Sequence, residues 1–510
     1  MKIAALLNEL KRNNVDFDLR GSVEDEVLHL DCDSRSVTSG SMFFALRGTH
    51  FDGHAYIPQV VAAGAVAVVV DTVVEVEAAA CVIRVTDVRQ AMAYVARGFY
   101  SHPQQGMFIA AVTGTNGKTT LTYMLEALLR MKGKNPAVVG TISNRMDGKE
   151  LEASHTTPDS LGLYQLLADF KANGANALAL EVSSHALEQQ RVLGLDIDLG
   201  VFTNLTPEHL DYHLDMERYY TAKARLFSAA AGYGCRRAVI NIADPYGERL
   251  AAEIPEALCV DPRVGATSHA DIRVSRATYE LDGISAEIHT PDGDVEIHSP
   301  LIGPFNLENL CCAMGAGVAM GLSIQDTAEC LAQVLPIPGR LERVENTLGA
   351  LVLVDYAHTS DALEKALEAV IALNPRRLIT VVGCGGDRDK SKRPLMAATA
   401  VRASALTLIT SDNPRTEDPH AIIQDMLAGL KNSAAQELTP VAVKQGQEGY
   451  CVVEDRAVAL KLAAEVLQAG DVLLAVGKGH EDYQIIGTTK HHFDDREHLH
   501  AALKKRAAAV

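Results

Sequence analysis

The chain has no tryptophan, few other aromatic residues and no long apolar run. Aromatic residues make up 5% of its 510 residues while hydrophobic residues make up 47%, so aliphatic side chains must supply most of the core. The longest apolar run, Val60–Val70, is too short to cross a bilayer and ends at Asp71, so no membrane insertion is expected. The opening stretch MKIAALLNELKRNN is amphipathic without an apolar signal core, which points to a cytoplasmic protein. Net positive charge is lacking as well: the formal net charge is -18, which argues against a broad grip on nucleic acid. The nine cysteines include no CxxC pair and no zinc-finger spacing, so they read as reduced thiols.

What is present is an ordinary globular balance, with 22% charged residues, in a chain too long for a single core. The first hundred residues mix short strands (Met42–Leu46, Ala65–Val70) with a helix over Val88–Phe99. Ser101-His-Pro-Gln-Gln-Gly106 reads as a linker. A second unit opens with an apolar strand at Met107–Val112 and a helix from Thr119 to about Lys132. Further strands follow at Ala177–Val182, Ile197–Thr203 and Ala238–Asn241. Alternating strands and helices predict a doubly wound, mostly parallel sheet. Between Ile272 and Leu301 the pattern becomes alternating, with Asp292-Gly293 as a hairpin turn in an attached antiparallel ribbon. Pro336-Ile-Pro-Gly339 reads as a second linker, followed by strands at Leu351–Asp355, Leu378–Val382, Leu406–Thr410 and Val472–Val476. The expected architecture is α/β with three domains. These are a smaller N-terminal α/β unit (1–103), a central unit with a phosphate loop (104–337) and a Rossmann-like C-terminal unit (338–510).

The strongest chemical signal is Gly114-Thr115-Asn116-Gly117-Lys118-Thr119-Thr120, between an apolar strand and a helix. Glycines let backbone N–H groups close around phosphates, the lysine reaches the outer ones, and a threonine hydroxyl can bind Mg²⁺. The usual loop has four residues between its glycines and this one has only Thr115 and Asn116, which argues against a generic motor ATPase or GTPase. Glu181 ends the buried strand of Ala177-Leu-Ala-Leu-Glu181-Val-Ser-Ser-His185, where ligands bind in such sheets. It could hold Mg²⁺ opposite the nucleotide. Asn204-Leu-Thr-Pro-Glu-His209-Leu-Asp-Tyr-His213 has paired histidines but no HExxH glutamate, and alone it fits a site or a structural turn equally well. Lys223, on a helix, would ordinarily be a solvated lysine.

These segments occur in order with Tyr220-Thr-Ala-Lys223-Ala-Arg-Leu-Phe227, Asp355-Tyr-Ala-His358, Gly383-Cys-Gly-Gly-Asp-Arg-Asp-Lys390 and Phe493-Asp-Asp-Arg-Glu497. Together they resemble the Mur ligase family, whose members extend the peptide stem of bacterial peptidoglycan precursors, and the resemblance covers nearly the whole chain. It implies an ATP- and Mg²⁺-dependent, monomeric ligase acting on UDP-MurNAc-L-Ala-D-Glu. By that resemblance Cys32, Ser34, Thr49, His50 and Phe51 meet the UDP-sugar, Cys32 standing at a position that varies in the family. The muramyl dipeptide is held by His155, Thr156, Thr157, Ser183, Gln189 and Arg191. ATP is held by residues 114–120, by Asn306 and Asn309, and by Arg340, Asp355 and His358. Thr119, Glu181 and His209 match the Mg²⁺ ligands, and Lys223 is carbamylated to become another.

The chemistry such a site must perform is the activation of a carboxylate, a poor acyl donor, as an acyl phosphate that a free amine then attacks. Positioning and charge neutralisation, by Lys118 and two Mg²⁺ ions, do most of this work, and no protein nucleophile is required. Asp412-Asn413-Pro414-Arg415 follows a strand and is, by resemblance, the amino-acid selector, in the form associated with meso-diaminopimelate. An arginine can grip that molecule's second carboxylate with two parallel hydrogen bonds and would repel the ammonium of lysine. Arg388, Gly477 and Glu481 match further contacts. Without the resemblance, Arg415 would read as a solvated arginine after an Asn-Pro turn. The rival readings are a folylpolyglutamate synthetase, a lysine-adding relative, and a nucleotide-dependent switch or motor.

Overall fold

The computed structural model describes residues 1–48, 51–75, 80–153, 155–280 and 283–507. Thr49 and His50, two of the expected UDP-sugar contacts, lie outside the described residues. Three large sheets organise the chain, and a small hairpin (483–486 with 489–492) completes it.

The first sheet has five strands in the order 17–20, 81–85, 67–70, 41–44, 29–31. Only the pairing of Phe17–Arg20 with Cys81–Val85 is antiparallel. The helix over Val88–Phe99 starts where Asp87 accepts hydrogen bonds from the N–H groups of Arg89 and Gln90, satisfying donors that the first turn leaves free. Its apolar face packs onto the helix Ser160–Ala172, so one hydrophobic core runs from the first sheet to one face of the central sheet.

The central sheet has eleven strands. From 272–280 through 258–261, 235–241, 197–202, 108–113 and 177–181 to 136–139 they run parallel. Hairpins extend both edges antiparallel: 143–146 and 149–152 on one side, 283–290 and 293–299 on the other. The alternating stretch after Ile272 is an antiparallel ribbon attached to the central unit, as expected, and it is hydrogen-bonded onto the edge of the central sheet. Its final turn falls one residue earlier than the sequence suggests, because Thr290 pairs with Gly293 and leaves Pro291 and Asp292 as the loop.

In the third sheet, strands 351–355, 471–476, 377–384, 406–411 and 449–452 are parallel neighbours, and 342–343 adds antiparallel to the edge. Strands buried on both faces read as continuous aliphatic runs, as in Leu351–Asp355 and Asp471–Val476. Among the described residues no helix is long and apolar enough to cross a membrane.

Candidate active site

Strand Phe108–Thr113 lies in mid-sheet between 177–181 and 197–202; the chain runs from it to one side, to 136–139, and crosses back from 177–181 to 197–202 on the other, so its end is a switch point of the kind at which ligands bind in such sheets. The loop 114–117 emerges there and feeds the helix Lys118–Met131. Gly117 has φ 87°, and a Cβ on it would stand 2.3 Å from Asn309 Oδ1. At Gly114 (φ 149°) a Cβ would meet the Thr203 hydroxyl at 1.9 Å. Both positions need glycine for conformation and for space.

The backbone N–H of Thr115 donates to Asn204 O and that of Asn116 to Asn204 Oδ1, each at 2.9 Å. The Thr203 hydroxyl donates to Asn116 O at 2.6 Å. Lys118 Nζ folds back onto the carbonyls of Gly114 (2.9 Å) and Thr115 (2.8 Å), and burial lowers its pKa. Glu181 is fully buried at its strand end. Its carboxylate accepts from the Thr119 hydroxyl at 3.1 Å, the Thr141 hydroxyl at 2.9 Å and the Thr141 N–H at 3.0 Å. Thr141 escaped the sequence reading, although its place just past the end of strand Pro136–Val139 was the available signal.

The C-terminal unit closes the other side. Arg340 Nη2 donates to the Thr119 hydroxyl at 3.3 Å, while its Nε is buried without a partner. Asp355 accepts from the N–H groups of Leu341 and Ala357, each at 2.8 Å, and burial pushes its pKa up. His358 Nδ1 lies 3.0 Å from Tyr356 O, and burial pulls its pKa down. Asp361 Oδ2 accepts from Asn116 Nδ2 (3.0 Å) and from the Thr206 hydroxyl (2.9 Å) across the same junction, a contact that sequence reasoning did not anticipate. A cavity of about 260 Å³ results, lined by Thr115–Thr120, Glu181, His209, Asn309, Arg340, Asp355 and His358, with Thr156 and Ser183 at its margin. Asn306 stands behind it, holding Asn309 by accepting from its Nδ2 at 3.2 Å.

Lys223 is buried, not solvated. Its Nζ donates to Gly114 O at 2.6 Å and sits 4.7 Å from the Tyr219 ring. Burial, reinforced by Lys118, drives its pKa far down, a shift towards the neutral amine. Glu208 also lines the cavity. Burial alone would raise its carboxyl, but His209, Lys118 and their neighbours hold it below its ordinary value. His209 itself takes a left-handed backbone (φ 55°) and stacks edge-on against His185 at 4.9 Å. Among the described residues no three His, Cys, Asp or Glu side chains converge as a ready metal cage.

The expected dipeptide residues form a connected strip beside this cavity. The Thr141 and Thr156 hydroxyls are 3.0 Å apart, and the Thr157 hydroxyl donates to Glu181 O at 2.8 Å. Arg191 Nη1 donates to Thr157 O at 2.7 Å and its Nη2 to Gln189 Oε1 at 2.8 Å. Ser183 caps the short helix Ser184–Glu188, and His155 is exposed next to Thr156. Of the expected UDP-sugar contacts, Cys32 Sγ approaches Asp159 Oδ2 at 3.7 Å and its thiol is pushed up to about 12 by burial and that carboxylate. Ser34 is half-buried and Phe51 is 73% exposed.

The third group clusters separately in the C-terminal unit. Asn413 Nδ2 donates to Glu481 Oε2 at 2.8 Å, and its Oδ1 accepts from Lys478 Nζ at 3.1 Å and from the Ile485 N–H at 2.9 Å. Arg415, left-handed at φ 52°, donates through Nη1 to Gly386 O at 2.9 Å. Asp412 is buried 3.4 Å from Lys478 Nζ. Gly477 (φ 112°) backs onto Asp412 Oδ2, which a Cβ there would approach to 3.0 Å, and Pro414 O packs against Gly386. Arg388 is exposed nearby on the 385–390 loop. The fully buried Lys478 was not singled out from sequence.

A mid-sheet phosphate loop, a strand-end carboxylate and an arginine reaching in from a third sheet define a nucleotide-dependent ligase of the Mur type. The chain matches the descriptions "Mur ligase family, catalytic domain" over residues 26–100, "Mur ligase middle domain" over 112–317 and "Mur ligase, glutamate ligase domain" over 339–479, and it belongs to the Mur ligase family. It is 48% identical to a UDP-N-acetylmuramoyl-L-alanyl-D-glutamate–2,6-diaminopimelate ligase of Geobacter metallireducens, covering 98% of each chain. A solved structure of a ligase with that same name aligns at TM-score 0.66 with 34% identity, over 94% of this chain and 95% of the other. A Mycobacterium tuberculosis folylpolyglutamate synthase shares the fold alone, with TM-score 0.57 and 16% identity over 75% of this chain and 91% of its own.

Proposed function

We propose that the chain is an ATP-dependent amide ligase that adds meso-2,6-diaminopimelate to the D-Glu γ-carboxylate of UDP-MurNAc-L-Ala-D-Glu through an acyl phosphate, in peptidoglycan precursor synthesis. The observation that carries this reading is the single cavity shared by Lys118, Glu181 and Arg340, set in a chain nearly half identical to a ligase of that name. The divisions 1–103, 104–337 and 338–510 then correspond to UDP-sugar, ATP and amino-acid units. The enzyme works as a monomer in the cytoplasm.

The loop N–H groups and Lys118 hold the nucleotide phosphates, and Arg340, with a buried Nε lacking a protein partner, meets the charge on the transferring phosphoryl group. Asn309, braced by Asn306, borders the nucleotide on the adenosine side. Mg²⁺ fits this donor set, since the Thr119 hydroxyl and the Glu181 carboxylate already share one point at 3.1 Å. Thr119 and Glu181 would hold such an ion together with substrate phosphates and waters, and it would supply positive charge to the phosphate oxygens. A buried Lys223 amine, its pKa lowered by burial, can in its deprotonated form add CO₂, forming one N–C bond and releasing one proton, and the resulting carbamate supplies the anionic partner that the bare lysine does not. Thr156, Thr157, Ser183, Gln189 and Arg191 orient the dipeptide so that its carboxylate meets the terminal phosphate. Asp355 and His358 order the strand end that faces it.

Arg415 selects the amine donor by pairing with the second carboxylate of diaminopimelate, helped by Asn413 and Glu481. That disfavours the lysine-adding reading. An Arg340 that crosses to Thr119 behind the phosphate loop suits a substrate-closing enzyme better than a switch, and 48% identity over 98% of a diaminopimelate-adding ligase favours a UDP-sugar over a pterin. The test incubates protein with ATP, Mg²⁺ and UDP-MurNAc-L-Ala-D-Glu, with meso-diaminopimelate or L-lysine in parallel, and follows phosphate release and product mass. Product with diaminopimelate alone is expected. Product with lysine would leave the ligase and remove Arg415 as selector.

A further inference from the structure

The Phe493–Glu497 segment has no part in the chemistry above, yet its side chains reach both halves of the site. Arg496 donates Nε to Asp494 Oδ1 at 2.9 Å and Nη2 to Asp494 Oδ2 at 2.6 Å, a bidentate pair that fixes the guanidinium plane. Its remaining donors go elsewhere: Nη1 to Glu342 Oε2 at 3.2 Å and Nη2 to His480 O at 3.2 Å. Glu342 in turn accepts from the Gly339 N–H at 2.6 Å, on the far side of Arg340 in sequence. One guanidinium thus spans the segment that carries Arg340 and the loop that carries Glu481.

The same two segments touch directly. A Cβ on Gly339 (φ 66°) would stand 2.0 Å from His480 N, and one on Gly479 (φ 54°) would stand 2.9 Å from Gly339 O. Tyr356 lies between the two ends, with its ring 4.9 Å from the Arg340 guanidinium and 5.0 Å from the His480 ring. Leu341, next to Arg340, holds φ 45°, a conformation that a branched residue keeps only where its surroundings dictate it. Here its N–H donates to Asp355 and the adjoining Glu342 is held by Arg496. Asp495 anchors the whole segment through a fully buried pair with Arg456, at 2.8 and 2.5 Å.

We infer that Arg496 is a positioning residue that locks the Arg340 segment to the Glu481 loop, so that the phosphate end and the amino-acid end of the ligation move as one unit. The roles of Arg340 and Glu481 rest on the ligase reading. The lock itself does not.

Two measurements on the full-length protein test this. Hydrogen exchange needs no turnover: in Arg496→Gln, the amides of residues 337–342 and of 478–482 should both exchange faster than in the wild type, while those of 114–120 stay unchanged. Steady-state kinetics then compare Glu342→Gln, Arg496→Gln, the double variant and Arg496→Lys. The KM values for ATP and meso-diaminopimelate should rise together by roughly tenfold, with the KM for UDP-MurNAc-L-Ala-D-Glu unmoved. The double variant should be no worse than the poorer single one, and Arg496→Lys should recover part of the loss. Exchange that quickens only in the last helix, or a single KM that moves alone, would overturn the lock. A wild type that makes no product but shows the coupled exchange would instead count against the ligase reading.

Discussion

The proposed phosphate cavity takes six consecutive lining residues, Thr115–Thr120, from one loop and the start of its helix, whereas Arg415 is surrounded by the segments 385–388, 412–415 and 477–485. The first arrangement is local because a loop between a strand and a helix points its N–H groups inward wherever glycine permits the turn. The second is nonlocal because an arginine that is to grip a carboxylate, as proposed for Arg415, must be held at a fixed angle, and here a buried Asp412–Lys478–Glu481 network braces its loop. Burial alone would raise Asp412, but the Lys478 ammonium holds it below its ordinary value, while burial beside Asp412 raises Glu481. In the proposed reading the phosphate site therefore depends on backbone, and the amino-acid site on side-chain charge.

That contrast can be broken by mutation. Lys118→Ala should have the largest effect, lowering kcat by about a thousandfold with the KM for diaminopimelate little changed, as read from phosphate release. Arg415→Ala should raise the KM for diaminopimelate by about a hundredfold and leave nucleotide binding intact, measured by ADP titration. An unchanged preference over lysine would show that the selector lies elsewhere. Gly117→Ala probes the backbone half: strain at φ 87° and the contact with Asn309 should cost about 1–3 kcal/mol in denaturant melts and weaken ADP binding selectively. For Lys223, intact mass in bicarbonate-rich buffer should show the added carboxylate, and a plain amine there would remove the carbamate.

A separate prediction concerns the dependence of stability on pH. His185 and His213 are held by burial down to about 4, against an ordinary 6.5. The unfolded chain binds protons on these rings below pH 6.5 while the folded protein does not, so their contribution is full above that pH and is lost as pH falls towards 4. The melting temperature should therefore drop between pH 7 and pH 5, and His213→Asn should flatten that slope.

Much of the fold was legible because doubly wound sheets write themselves as aliphatic runs: Leu351–Asp355 has the same bounds in sequence and structure, as does the helix Val88–Phe99. Short edge strands such as His29–Asp31 and Glu342–Arg343 were not legible, since two or three residues carry no periodicity. Within the site, the loop 114–120 and Glu181 could be read from spacing and strand position. Thr141 offered only its place past a strand end, and Asp361 and Lys478 offered nothing, because nothing local distinguishes an aspartate in a first helical turn or a lysine between glycines. Lys223 was misleading on its own terms: helical spacing suggests solvent, and the structure buries it.

By itself, the order of residues determined where phosphate can be cradled, since only glycine accepts the backbone of positions 114 and 117, and which charges are available to grip a carboxylate. Tertiary structure alone decided which of those charges meet. Arg340 reaches Thr119 only because the C-terminal unit packs against the end of the central sheet, and Arg496 bridges Glu342 to the His480 carbonyl only because the fold of that unit brings them together. Contacts across 154 to 221 residues are set by that packing, which no local pattern encodes.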